Sequence, residues 1–196
     1  MRSDEPYERN EHMKLMFASD IHGSADGCEA MFRRFEAERP DKLILLGDLL
    51  YHGPRNDLPS RYDPKSVIAM LNGMKEDLLC VRGNCEAEVD QMVLEFPVMA
   101  DYMTMWIDGH MLFCTHGHLY DIENMPNIRR GDAVISGHTH IYRAEEKDGV
   151  TYMNTGSVSL PKNGNMPTYV IYTDGQFQVR DMDGRCVASA AFPEKH

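Results

Sequence analysis

Positive charge is scarce in this chain: 20 Lys and Arg stand against 31 Asp and Glu, a formal net charge of -11. Such a balance gains little from counterion release on a polyanion, so non-specific nucleic-acid binding is not expected. No apolar run approaches the ~18 residues of a membrane span, and no signal-peptide pattern is present. Five cysteines (Cys28, Cys80, Cys85, Cys114 and Cys186) include no Cys-x-x-Cys pair. An odd count in a core-forming chain fits reduced thiols and a cytoplasmic location. Gly-x-Ser-x-Gly and Walker A patterns are also missing, which leaves no support for a serine-hydrolase elbow or P-loop chemistry. No low-complexity linker divides the sequence. One domain is therefore expected over residues 13–196, with the charged residues 1–12 as a leader or appended extension.

What is present alternates. Residues 14–19 read as a buried strand, followed by a helix opened by Asp26 with Cys28, Met31, Phe32 and Phe35 at helical spacing. A second strand at 42–46, a helix begun at Pro64 and a third strand at 77–81 continue the α/β pattern. Residues 51–62, rich in Gly, Pro and polar side chains, form a loop between the second strand and that helix. Val89, Met92, Val93 and Phe96 suggest one further apolar helical face. Beyond residue 99 the period shortens to two, with Asp-Gly turns at 108–109, 148–149, 174–175 and 183–184 and a loop around Pro126. The expected fold is α/β: a two-sheet sandwich flanked by helices, its chemistry at the strand ends. Met103, Met105 and Trp106 fit either a core-facing strand or the interface of a homo-oligomer.

Metal ligands cluster where apolar runs stop. Asp20 and His22 follow the first strand, Asp48 the second and Asn84 the third; His116, His138 and His140 end the later runs. A mixed set of carboxylate, amide oxygen and imidazole suits Mn²⁺, Fe²⁺, Zn²⁺, Co²⁺ or Ni²⁺ better than a sulfur-rich or all-oxygen site. Seven ligands exceed one tetrahedral ion, whereas a shared carboxylate gives two ions four ligands each. Each residue has a structural alternative: Asp20 as a helix cap, Asp48 and Asn84 as turn residues, the histidines as hydrogen-bonded polar groups.

In order and type, Asp20-x-His22, Gly47-Asp48, Gly83-Asn84, His116-Gly117 and Gly137-His138-Thr139-His140 resemble the calcineurin-like metallophosphoesterase family. The resemblance implies a sandwich with a binuclear centre at one edge. It places Asp20, His22, Asp48 and His140 on one ion and Asp48, Asn84, His116 and His138 on the other. Asp48 would bridge, and Mn²⁺ is the first metal to test. The implied activity is hydrolysis of a small soluble phosphodiester by metal-activated hydroxide, acting through Asp48, Asn84 and His116. A phosphomonoesterase, a non-catalytic protein-interaction module and a structural zinc protein are the alternatives. The family often carries His after the asparagine, where this chain has Cys85. His52, Arg55, Cys85 and His118 are the substrate-side candidates, each with an ordinary loop or supporting role as its alternative.

Overall fold

A computed structural model describes residues 13–125 and 128–194. The leader expected at residues 1–12 and the loop position Pro126 lie outside the described residues. The N-terminal half alternates as the composition requires: β1 (Lys14–Ala18), α1 (Ala25–Glu38), β2 (Lys42–Leu45), α2 (Pro64–Gly73), β3 (Leu78–Cys80) and α3 (Glu88–Val93). The remainder is strand: β4 (Tyr102–Ile107), β5 (His110–Thr115), β6 (Ala133–Ser136), β7 (Arg143–Lys147), β8 (Val150–Asn154), β9 (Thr168–Thr173), β10 (Gln176–Asp181) and β11 (Cys186–Ala191).

Two sheets result, one ordered β11-β10-β9-β1-β2-β3 and the other β4-β5-β6-β8-β7. β1, β2 and β3 are mutually parallel, as are β5, β6 and β8. Alternation along β1 assigns its two faces: Leu15 and Phe17 enter the core between the sheets, while Met16 and Ala18 face the helices. The inter-sheet core holds Ile44, Leu46, Ile135, Val170, Tyr172 and Phe177, all buried. α1 and α2 cover the outer face of the first sheet with Cys28, Met31, Val67 and Leu71. Part of the other outer face is covered by a loop, which packs Tyr120, Met125 and Ile128 on Phe113 and Val134.

Local chemistry sets the ends of these elements. Ser24, not Asp20, caps α1, its Oγ accepting from Gly27 N at 3.1 Å, and Asp63 caps α2 ahead of Pro64. The Asp-Gly turns at 108–109, 148–149 and 174–175 have positive φ at both residues, as two-residue hairpins of type I′ require. Two expectations need correction. α3 spans only six residues and leaves Val89, Met92 and Val93 exposed, so they do not form a core face. Leu94 and Phe96 are the buried residues, because the chain straightens after Val93 and Gln91 Nε2 holds the Leu94 and Phe96 carbonyls. In β4 the apolar residues divide: Met103 and Met105 pack on the inter-sheet core, while Trp106 points outward and is 62% exposed.

The charged cluster closing α1 gives a stability prediction. Glu38 accepts from Lys14, Arg34, Tyr169 and Arg180, binding β1, α1, β9 and β10 together. Burial pushes its carboxyl up, but these hydrogen bonds outweigh burial and hold the pKa at about 2. A depressed carboxyl stabilises the fold above its unfolded pKa of about 4.5, and that share is lost as pH falls toward 2. Glu38→Gln should destabilise by about 2–3 kcal/mol at neutral pH, somewhat less than a fully buried pair, because the three cations are about a fifth exposed. The difference from the parent should shrink in acid denaturation. An equal difference at pH ~7 and pH ~3 would contradict this account.

Candidate metal centre

The seven candidate ligands converge because both sheets direct the ends of parallel strands toward one edge. β1, β2 and β3 lead into Asp20 and His22, Asp48 and Asn84; β5 and β6 lead into His116, His138 and His140. Asp20 N donates to Gly47 O at 3.0 Å and His22 N to Asp48 O at 2.9 Å, so the β1–β2 pairing continues into the site. Here the backbone turns sharply. Asp20, His22, Asp48, His138 and His140 all have φ between 51° and 68°, a conformation uncommon for side-chain-bearing residues. Concentrated strain of this kind marks functional positions.

The ligand atoms fall into two lobes. In the first, His140 Nε2 lies 3.2 Å from Asp20 Oδ1 and 3.1 Å from His22 Nε2, and His22 Nε2 lies 3.6 Å from Asp48 Oδ2. In the second, His116 Nε2 is 3.5 Å from Asp48 Oδ1, 3.1 Å from Asn84 Oδ1 and 3.2 Å from His138 Nδ1. Asp48 thus presents one carboxylate oxygen to each lobe.

Second contacts fix the tautomers. His22, His116 and His140 donate Nδ1–H to the carbonyls of Tyr51, Leu46 and Leu160 at 2.7, 2.6 and 2.6 Å. Their Nε2 lone pairs therefore face inward, as metal-binding imidazoles require. Asp20 Oδ1 is fully buried without a hydrogen-bond partner. Acceptors this close repel unless positive charge lies among them, so the donor set fits divalent cations.

In the ion-free protein, protons supply part of that charge. Burial disfavours the His116 imidazolium, yet its hydrogen bond to Asp48 and the nearby Asp20 charge raise its pKa to about 9. His22 is likewise raised by Asp20 against the pull of burial. Burial and the His116 charge lower His138. Burial pushes the Asp20 carboxyl up, but the facing His140 and His22 imidazoles and the nearby His116 charge carry it well below the usual range. A cation taking the His116 lone pair must displace a proton at neutral pH, so apparent affinity should rise with pH until about 9. Calorimetry in buffers of different ionisation enthalpy should detect release of about one proton or more per chain near pH ~7. Buffer-independent heats would refute this.

Several positioning groups lie outside the residues that the sequence pattern singles out. Glu86 accepts from Asp48 N, Leu49 N and Gly83 N at 2.9, 2.7 and 2.5 Å, locking the two Gly-containing turns together. Ser157 and Ser159 donate to Asp20 O at 2.8 and 2.9 Å, and Asn154 Nδ2 donates to Gly137 O at 2.6 Å. Asn154 ends β8, parallel to β6, so the strand-end rule that singled out the ligands would also have found it.

A cavity of about 450 Å³ opens over Asp48, Asn84, His138 and His140. Of the substrate-side candidates, Arg55 and Cys85 line it, and Lys162 joins them unanticipated. His52 and His118 do not line it. His52 packs edge-on between Tyr51 and Tyr62, and His118 lies against His116 at 5.3 Å between ring centres. Burial and then the His116 charge depress His118 to about 4, leaving it neutral near pH ~7. A larger cavity of about 530 Å³ includes Trp106, Gly109 and Gly149, at the opposite ends of β5 and β8, away from these ligands.

Among the described residues no helix is long and apolar enough to cross a membrane. Residues 13–175 match the model of the calcineurin-like phosphoesterase superfamily domain. The phosphodiesterase YfcE of Escherichia coli strain K12 is 46% identical over 157 residues, 80% of this chain and 85% of that protein. A solved structure of E. coli YfcE, a phosphoesterase, matches with a TM-score of 0.89 at 42% identity, covering 92% of this chain and 100% of that one. The probable metallophosphoesterase YsnB of Bacillus subtilis is 26% identical over 168 residues, 82% of this chain and 84% of its own. The match across most of the sequence, the agreement in fold and the two-lobed cluster of ligands coincide in one conclusion: this chain belongs to the calcineurin-like phosphoesterase superfamily.

Proposed function

We propose that this protein hydrolyses small phosphodiesters with two divalent cations, Mn²⁺ foremost, in a reduced cytoplasmic setting. The observation that carries the reading is the Asp48 carboxylate, whose two oxygens face separate groups of buried ligands. Asp20, His22, Asp48 and His140 would hold one ion, and Asp48, Asn84, His116 and His138 the other. Bound there, the pair would supply Lewis acidity and an activated water for attack on phosphorus.

The chain's own contribution is placement and charge. Carbonyl-anchored histidines keep their lone pairs inward, and Glu86 holds the Asp48 turn against the Gly83 turn. The half-open cavity admits a phosphate, while Arg55 and Lys162 offer positive charge at its walls. Cys85 occupies a place where imidazole would be a stronger proton donor. A neutral thiol gives little help to a poor leaving group, which favours diesters with good ones. The relative named a phosphodiesterase, 46% identical, supports the same preference.

The deciding experiment compares turnover of bis-p-nitrophenyl phosphate and p-nitrophenyl phosphate by metal-stripped protein before and after Mn²⁺ is restored. Mn²⁺-dependent cleavage with the diester preferred is expected. Preference for the monoester would make the protein a phosphomonoesterase. Metal binding with turnover of neither compound would reject the enzymatic reading and favour a metal-stabilised interaction module.

A further inference from the structure

The thiol of Cys85 has neighbours unlike those of the other cysteines. Cys28, Cys80 and Cys114 are buried, and Cys186 is exposed. Cys85 is half-buried, lines the cavity over the metal centre, and has its sulfur within 4.8 Å of a ring nitrogen of His22 and a carboxylate oxygen of Asp48. Those three atoms are close enough together to contact a single ion. No other cysteine belongs to such a group among the described residues.

Its position is fixed by the same contacts that shape the centre. Cys85 N donates to Asp48 Oδ1 at 2.9 Å, so the backbone carrying the thiol is tied to the shared carboxylate. Asn84 Nδ2 donates to the sulfur at 3.3 Å while Asn84 Oδ1 faces His116. That amide therefore presents an oxygen to one lobe and supports electron density on sulfur beside the other. Buried, unpartnered Asp20 Oδ1, which faces His22 and His140, adds a further acceptor to the lobe containing His22.

We infer that Cys85 is a conditional metal ligand: soft divalent ions such as Cd²⁺ and Zn²⁺ recruit its sulfur alongside His22 and Asp48, whereas hard Mn²⁺ leaves it unbound. The inference rests on the two-metal reading and adds a selectivity to it. Thiolate ligands favour soft ions, and carboxylate, carbonyl and water favour hard ones. As the sulfur–metal bond forms, the S–H bond breaks heterolytically, its electron pair stays on sulfur and the proton passes to the buffer. No electron is transferred to or from the metal. Sulfur would then occupy the cavity side, where a phosphate oxygen or water must approach. Soft ions should accordingly bind tightly and turn over poorly.

The test is a Cd²⁺ titration of metal-stripped protein followed by ultraviolet absorption, with Mn²⁺ affinity and Mn²⁺-dependent diester hydrolysis measured on the same preparation. A sulfur-to-cadmium charge-transfer band should grow to one sulfur-bound ion per chain, vanish in Cys85→Ser and persist in Cys186→Ser. Cys85→Ser should weaken Cd²⁺ binding about tenfold or more and Mn²⁺ binding less than about threefold. Cd²⁺ binding without the band, or a band that survives Cys85→Ser, would overturn the inference. If Mn²⁺-dependent hydrolysis persists in that case, the proposed function still stands. Failure of both ions to bind would remove the two-metal reading and this inference with it.

Discussion

Asp48→Asn should leave a folded protein that retains at most one of its two ions and has lost about 10³-fold or more in kcat/KM, equivalent to ~4 kcal/mol of transition-state stabilisation. The amide preserves the shape of the carboxylate, and its oxygen can still accept from Cys85 N, as Asp48 Oδ1 does at 2.9 Å. Glu86 still holds the backbone of this turn through Asp48 N and Leu49 N. What disappears is negative charge at the point both lobes share, together with one of the two anionic oxygens. The fold therefore has little reason to change, while one ion loses its shared oxygen ligand and both lose the charge that carboxylate supplied. Metal content by elemental analysis and kcat/KM for bis-p-nitrophenyl phosphate check the two halves separately. Full stoichiometry and full rate together would reject a bridging role for Asp48.

Gly83→Ala should damage both stability and metal content, although alanine adds one methyl group. A Cβ at Gly83 would stand 2.1 Å from Asp48 Oδ1 and 2.5 Å from Asp48 N, and the opposed Gly47 would likewise place a Cβ 2.3 Å from Gly83 N. Two loops pass each other here with no space for a side chain. Neither can retreat easily, because Glu86 binds N–H groups of both. Overpacking against backbone should cost about 3 kcal/mol, which for a domain of this size lowers Tm by roughly 6–12 °C. Displacement of Asp48 should also reduce metal content below two ions per chain. Gly73→Ala is the matched control. Nothing lies within 4 Å of its added carbon at the end of α2, so a small gain of about 0.5 kcal/mol is expected. Equal Tm shifts for the two substitutions would show that close approach is not what makes Gly83 necessary.

Much of this protein could be read from one dimension, because strand ends and turns are local properties. Pro64 in the first turn of α2, the three type I′ Asp-Gly hairpins and the change of period after residue 99 each follow from a few adjacent residues. All seven candidate ligands obey one rule: a metal-binding side chain in the short polar stretch that ends an apolar run sits where a strand surfaces. α3 resisted the same approach. Its spacing of Val89, Met92 and Val93 looks amphipathic, yet two turns of helix at a sheet edge bury nothing unless another element packs on them.

By itself the sequence determined which residue types stand at which strand ends, since hydrophobic period and turn chemistry are set by near neighbours. Only the tertiary structure decided how those ends are shared. Parallel strands from two sheets bring Asp20 and His140 to 3.2 Å although 120 positions separate them, and Asp48 turns one oxygen to each lobe. The tertiary structure also decided that Glu86 is a clamp and not a surface acid, and that the thiol of Cys85 meets His22 and Asp48. The physical reason is the same in each case. A side chain's direction depends on a backbone turn taken at positive φ, and its partners come from distant segments whose proximity is created by burying the core between the sheets.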